Sequence, residues 1–347
     1  MPSVPETDAR ATMGGRGPAL WLAALLLFAL TVPAGAAESL TIGVLKLASS
    51  GPVFIAVDRG YFAAQGLAPE LRFFDAAQPV AVGTVAGDVD IGVTGLTAGF
   101  YNLAGKGALR IVGAQSREAP GYHLVAYIAS DRAYDAGLTR LAALPGHSVA
   151  ISQVGSTFHY SLGLLAEKLG FPLASLRLLP LQSMGNMAAA VKGNQADAAL
   201  LPATLAVPLA ASGGAHILGW VGDETPWQLG AIFTRARTIA ERRAAVAGFI
   251  AAYRRAAHDF YDAFLVKGAD GRPHEGPEAG ALLAIIAKYT GQSPAQIRNG
   301  IPYIDPDARL LVDDIDHQVA WYQSQGLVDK SVDATSLLDL SFIGQKP

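Results

Sequence analysis

The stretch DRGYFAAQGLAPELRFF, residues 58–74, sets a helix end, a left-handed stop and a new strand within one short span. A helix from Pro52 to Arg59 stops at Gly60, because glycine takes the left-handed conformation at little cost. Tyr61 to Gln65 make one more turn, Gly66 ends it, and the apolar strand Leu71 to Phe74 follows. Upstream lies another apolar run, LTIGVLK (40–46). Strand, helix, double stop and strand make one βαβ unit, with Tyr61, Phe62 and Leu67 placed to fold back onto its sheet.

The unit repeats. VDIGVT (89–94) and LRIVGA (109–114) continue the first set; SVAISQ (148–153), LRLLPL (176–181), AALLP (198–202) and HILGWV (216–221) form a second. Each run is short, apolar and bounded by turn residues, as expected of strands buried on both faces of a parallel sheet. Two sets predict two lobes in an α/β fold. PVAVGTVAGDVD (79–90) also aligns without gaps on NMAAAVKGNQAD (186–197). In both, a small-residue helix ends at Gly87 or Asn194, and an Asp (Asp90, Asp197) follows three residues later at a strand start. These are read as equivalent positions in similarly built lobes.

The C-terminal third is helical. Thr238 and Glu241 have the spacing of a capping box that opens a long helix, in which Phe249, Tyr253, Ala256, Phe260 and Phe264 form a buried stripe. KGADGRPHEGP (267–277) is a polar loop. Helices follow around 278–290, after Ser293-Pro294, and from Asp305-Pro306 to Gly326.

Composition narrows the function. A net charge of −3 with no Lys/Arg run predicts no nucleic-acid partner. The chain has no Cys, which rules out disulfides and thiolate metal sites. Arg10 and Arg16, the apolar run Pro18 to Val32 and Ala34-Gly35-Ala36 read as a cleavable export signal over residues 1–36. The run is shorter than the roughly 20 residues that span a bilayer, and with no Cys after it a lipid anchor is not expected.

Together these stretches resemble one family. AVDRGYFAAQGLAPELRFF, VAGDVDIGVTG (85–95), LAALPGHSVAISQVGSTFHYSLGLLAEKLGF (141–171), AKYTGQSPAQI and VAWYQSQGLVDKSVDATSLLDLSF follow, in order, the pattern of periplasmic solute-binding proteins of ABC importers for sulfonates, taurine, nitrate and thiamine-pyrimidine precursors. His147 departs from that pattern, where Lys is usual. The resemblance implies a type II periplasmic-binding-protein fold, each lobe a mainly parallel sheet with helices on both faces, plus C-terminal helices. It implies lobe I from 37–125 and 229–347 and lobe II from 126–228. It further implies hinges near HLVAYIA (123–129) and LGAIFTR (229–235), and a monomer that delivers a small ligand from the periplasm to a permease and ATPase complex in the inner membrane.

Ligands of open α/β sheets sit outside the strands' carboxyl ends, where helix N-termini offer unpaired amides that favour anions. The candidate binding residues there are Ser49, Ser50, Gln78, Thr94, Gly95, Ser156, Thr157, His159 and Ser183. Arg117 could clamp a sulfonate or carboxylate through its planar fork, or simply pair with Glu118. Trp227 could stack on a flat ligand or pack the hinge, and His159 could bond ligand or sit in a helix's first turn. The expected ligand is a small organic anion (a sulfonate, taurine-like compound, carboxylate or nitrate-like ion), with a thiamine-pyrimidine precursor or aromatic compound as the alternative. No cofactor, metal or catalytic residue is predicted. A pyrimidine synthase of the same superfamily depends on a Cys-rich motif that this chain lacks, and neither H-E-x-x-H nor G-x-S-x-G occurs. A sensor reporting to a membrane receptor is a further alternative to transport.

Overall fold

A computed structural model describes residues 37–346, together with 4, 5, 7 and 8. Apart from those four, the expected signal segment 1–36 lies outside the described residues. The chain builds β1 (Glu38–Leu45), β2 (Leu67–Phe74), β3 (Ile91–Gly95) and β4 (Leu109–Ala114), then crosses over. It lays down β5 (Val125–Ala129), β6 (Ser148–Ile151), β7 (Arg177–Pro180), β8 (Ala198–Pro202) and β9 (His216–Trp220), and returns as β10 (Gly230–Arg235). The first sheet has the order β2-β1-β3-β10-β4, the second β7-β6-β8-β5-β9. In each, the strand arriving from the other lobe lies antiparallel in the fourth position, between parallel neighbours. The result is a two-lobed α/β fold with one topology used twice.

Two expectations about strands change. HLVAYIA and LGAIFTR do not run unpaired between the lobes: both largely become strands, each paired on its two sides within one sheet. The crossings lie just ahead of them. β2 and β7 are not buried on both faces either, because each is an edge strand with a half-exposed pattern.

The opening stretch folds as its glycines require. The helix Gly51–Asp58 is followed by Gly60 at φ 69° and Gly66 at φ 71°, and β2 starts at Leu67. Phe62, fully buried, stacks on Phe249 at 5.3 Å. The helix Arg243–Phe264 buries Phe249, Tyr253, Ala256, Phe260 and Phe264. Each large side chain so placed contributes about 1.5–3 kcal/mol. Thr238 does not cap this helix. It lies inside a preceding short helix, Ala236–Glu241, and its hydroxyl accepts from Arg235 Nε at 3.1 Å. The chain breaks at Arg242, whose guanidinium is drawn to Glu38 and Asp90. Ser293 does form a capping box with Gln296. Asp305 opens a turn instead of a helix, accepting from Asp307 N and Arg309 N, and the last long helix starts at Val312.

The internal alignment proves to be structural. Asp90 Oδ2 accepts from the amide and hydroxyl of Thr41, both at 3.0 Å. Asp197 Oδ2 does the same with Ser148, at 2.9 and 2.7 Å. In both cases the Asp amide donates back to the hydroxyl. The helix turns before them are left-handed at Gly87 and Asn194.

Candidate ligand-binding site

A cavity of about 70 Å³ opens between the lobes, room for several waters, each of which needs about 10–15 Å³. Its wall is made by the ends of nearly all the strands. The segments after β3, β4 and β6 contribute Thr97, Gln115 and Ser156, a short 3-10 turn after β1 gives Ser49, and Gln78, Met184 and Thr204 come from the first turns of the helices after β2, β7 and β8. β5 and β10 run the other way, so Val125 and Leu229 reach the wall at their starting ends.

Of the residues expected at a ligand, Ser49, Gln78, Thr94, Gly95, Ser156 and Thr157 line this cavity. Thr94 is buried and its Oγ1 has no hydrogen-bond partner. Gln78 Oε1 accepts from Thr97 Oγ1, and its amide lies against Gly99, where a Cβ would sit 2.2 Å from Nε2. Gly95 brings the lobes together: a Cβ there would lie 2.7 Å from Thr157 Cγ2. Ser156 lines the wall while capping the helix Thr157–Leu169, accepting from His159 N at 3.3 Å.

The other five stand outside the wall. Arg117 is held elsewhere: its Nε donates to Gln228 Oε1 at 3.2 Å, its guanidinium bonds the Arg309 carbonyl, and Asp305 lies 3.5 Å away. Its chain neighbour Glu118 is not its partner. His159 sits in the first turn of its helix, with Nδ1 accepting from Gly155 N at 3.1 Å. Burial holds its pKa below the ordinary histidine value. Ser183 caps an exposed helix start by accepting from Asn186 N. Ser50 is buried beside the wall without a partner for Oγ. Trp227 is fully buried where the two crossings pair, edge-on to Tyr160 at 4.8 Å.

Those crossings form a short antiparallel ladder. Glu118 and Trp227 exchange backbone bonds of 2.9 and 3.1 Å, and Leu229 N donates to Ser116 O at 3.1 Å. Gln228 Nε2 donates to the Ser116 and Gly230 carbonyls. The helix Val312–Ser324 is fixed to this ladder through Asp314, which accepts from Gln228 N at 2.7 Å, and Gln318, which donates to Gln228 O at 2.8 Å. Glu118 is buried in the ladder, and that burial raises its carboxyl well above the ordinary range.

Gln115 is the principal residue that the sequence reading missed. It is buried at the end of β4, donates from Nε2 to the Ser49 carbonyl at 3.2 Å, and leaves Oε1 without a partner. A Cβ at Gly230 would come within 2.0 Å of that oxygen, so the side chain lies across the glycine. The available signal was position, directly after LRIVGA, two residues before the more conspicuous Arg117.

The helix tips are less open than expected. Ala98 N donates to Gly155 O in the facing lobe, and Ala203 N to Leu124 O, both at 2.9 Å. Phe100 N, His159 N and Asn186 N are taken by Thr97, Ser156 and Ser183. Pro52 and Pro79 have no N–H to offer. Among the described residues the wall holds no Lys, Arg or His, and Asp75 is its one charged side chain.

The family model described as NMT1/THI5 like matches residues 48–263, well over half of the chain. Several solved structures share the fold at low identity. The alkanesulfonate-binding protein SsuA from Xanthomonas axonopodis pv. citri, bound to MOPS, superposes with a TM-score of 0.69 at 19% identity, covering 88% of this chain and 99% of that one. The periplasmic nitrate-binding protein NrtA from Synechocystis PCC 6803 gives 0.66 at 14% identity, covering 88% and 87%. The desulfurization enzyme DSZB gives 0.59 at 14% identity, covering 88% and 97%. Among curated proteins none matches the chain.

Proposed function

The chain belongs to the NMT1/THI5-like family, and from that premise we propose that it is a solute-binding receptor whose lobes close over one small organic ligand. The observation that carries this reading is the cavity itself, walled by strand ends of both sheets at once. The lobes are 37–125 with 229–347, and 126–228. They hinge at the paired crossings ahead of β5 and β10, and ligand closes them by binding the closed form more tightly than the open one. The receptor is exported by cleavage of residues 1–36, works as a periplasmic monomer and hands its ligand to the permease and ATPase of an ABC importer.

A sulfonate, taurine-like, carboxylate or nitrate-like ligand is the class that the fold's relatives suggest. The cation-free wall and the engagement of Arg117 with Asp305 favour the other reading, an aromatic or heterocyclic solute. A thermal-melting screen of purified protein against both classes tests the receptor role. A ligand at about 100 times its Kd adds roughly 2.7 kcal/mol, whereas a protein stabilised by no member of either class is not such a receptor. DSZB, an enzyme on this fold, makes chemical conversion of a stabilising compound the outcome that would replace the receptor with a catalyst.

A further inference from the structure

We propose that residues 291–301, carried by lobe I, form a strap that latches onto lobe II and gates the ligand cavity. This rests on the receptor reading and adds to it a device that controls entry and escape. Both ends of the strap are tied within lobe I: Tyr289 stacks on Phe54 at 4.8 Å just before it, and Arg117 N donates to Tyr303 O at 3.0 Å just after it. In between, the chain turns at Gly291 (φ 73°), makes the short helix Pro294–Arg298 and buries Ile297. That short helix packs on the helix Ala203–Ala211 of lobe II. Gln292 Nε2 donates to Thr204 Oγ1 at 2.9 Å, and a Cβ at Gly300 would lie 3.0 Å from Thr204 Cγ2 and 3.2 Å from Ala203 Cβ.

At Gly300 the strap stands between two cavities. Gly300 and Thr204 line the ligand cavity, whereas Arg298, Asn299 and Ile301 line a second cavity of about 260 Å³ together with Tyr122, Phe264 and Pro273. That space gives the strap somewhere to move when it leaves Thr204, which a segment close-packed on both faces would lack. The latch is also finely balanced. Gln292 gains one bond to Thr204 but leaves its Oε1 buried without a partner. An unpaired buried acceptor offsets much of what a single hydrogen bond contributes. A contact of this kind closes the cavity yet opens locally without unfolding either lobe, and a bound ligand need add only a little to hold it shut.

The chain has no cysteine, so a thiol placed in the cavity wall reports access without any ligand. Ser49→Cys puts one at a buried wall position, and its alkylation by iodoacetamide is timed in the purified protein. Val44→Cys, in the fully buried part of β1, is the control for global unfolding. Gln292→Ala should speed alkylation at position 49 about two- to tenfold, and the near-isosteric Thr204→Val, which strands Gln292 Nε2, about tenfold. Alkylation at position 44 should not change. Oxidising the pair Ala203→Cys and Gly300→Cys, whose Cβ atoms lie near the disulfide spacing of about 3.8 Å, should slow alkylation at position 49 below the parent rate. Unchanged rates at position 49 in both variants and in the cross-linked protein would overturn the proposal, as would acceleration at position 44 in step with position 49. No solute enters these measurements, so they are independent of the melting screen. An inert strap in a protein that binds a screened compound removes this inference alone, whereas a protein that binds none removes the receptor reading and the strap's role with it.

Discussion

In lobe I, Asp90 grips Thr41 and is itself faced by two guanidinium groups, Arg242 at 2.9 Å and Arg235 at 3.5 Å. In lobe II, Asp197 grips Ser148 in the same way but is faced by Arg132 at 3.5 Å, largely in solvent, and by His147 at 3.7 Å. The plan is common, and what lies outside it differs. Lobe I carries the aromatic-lined helix Arg243–Phe264 over its outer face, and Arg242 reaches Asp90 from the start of that helix. Lobe II borrows its aromatic cover from the C-terminal helix: Trp321 lies edge-on to Tyr160 at 5.2 Å, and Gly163 is the residue that admits it. A repeated supersecondary unit thus repeats its internal bonds, while its stability depends on later segments that need not be repeated.

Breaking that borrowed cover should have the largest effect. Trp321→Ala removes a buried indole and is expected to cost about 3–5 kcal/mol. Amide exchange should rise first in the helix Thr157–Leu169; equal loss of protection in both lobes would show that the lobes do not draw on separate cover. Gly163→Leu approaches the same contact from the other side, since even a Cβ would meet Trp321 at 2.1 Å. It should cost about 1–3 kcal/mol by overpacking, read from urea midpoints.

The shared aspartates come next. Asp90→Ala strands an amide, a hydroxyl and two guanidinium groups and should cost about 3 kcal/mol, and Asp197→Ala about 1.5 kcal/mol, because bonds to charged groups are worth about 1.5–3 each. Equal losses would mean that the arginines around Asp90 add nothing. Burial pushes both carboxyls up, but the Thr41 or Ser148 donors and the nearby positive groups outweigh it and leave both below the ordinary range. Their contribution is therefore complete above the unfolded value of about 3.9 and disappears as pH falls through the lower folded values. Urea midpoints should drop as pH falls below about 4, and less steeply in Asp90→Ala.

The smallest effect is expected at the joint between the lobes and has the opposite sign. Burial raises the Glu118 carboxyl well above its ordinary range, so the stability tied to its protonated form is complete below the unfolded value of about 4.3 and declines as pH rises. Glu118→Gln should be more stable than the parent by about 1 kcal/mol or more at pH 8 and level with it at pH 4. A variant that gains nothing at pH 8 would show that burial does not raise this carboxyl.

The sequence carried the fold because its signals are local. Gly60 and Gly66 can be recognised as stops from their lack of a Cβ, LRIVGA and AALLP match β4 and β8 residue for residue, and Ser293-Pro294 announces its own cap. Local signals also misled. Thr238 and Glu241 have the spacing of a capping box, yet Arg235 claims the threonine hydroxyl and the helix restarts at Arg243. His147, where the family pattern has Lys, stands beside Asp197.

By itself, the order of apolar runs, glycines and small-residue helices determined two α/β lobes, the equivalence of Asp90 and Asp197, and which strand ends would face a cleft. All of that follows from backbone preference and burial period, which act over a few residues. Only the tertiary structure decided which polar atoms are left over. Arg117 is engaged because Asp305 arrives from a segment far along the chain, and Ala98 loses its amide to Gly155 of the facing lobe. Gln115 keeps a bare oxygen because Gly230 leaves room beneath it. Whether a hydrogen-bonding group remains unmatched depends on every neighbour that folding brings to it, and most of those neighbours are remote in sequence.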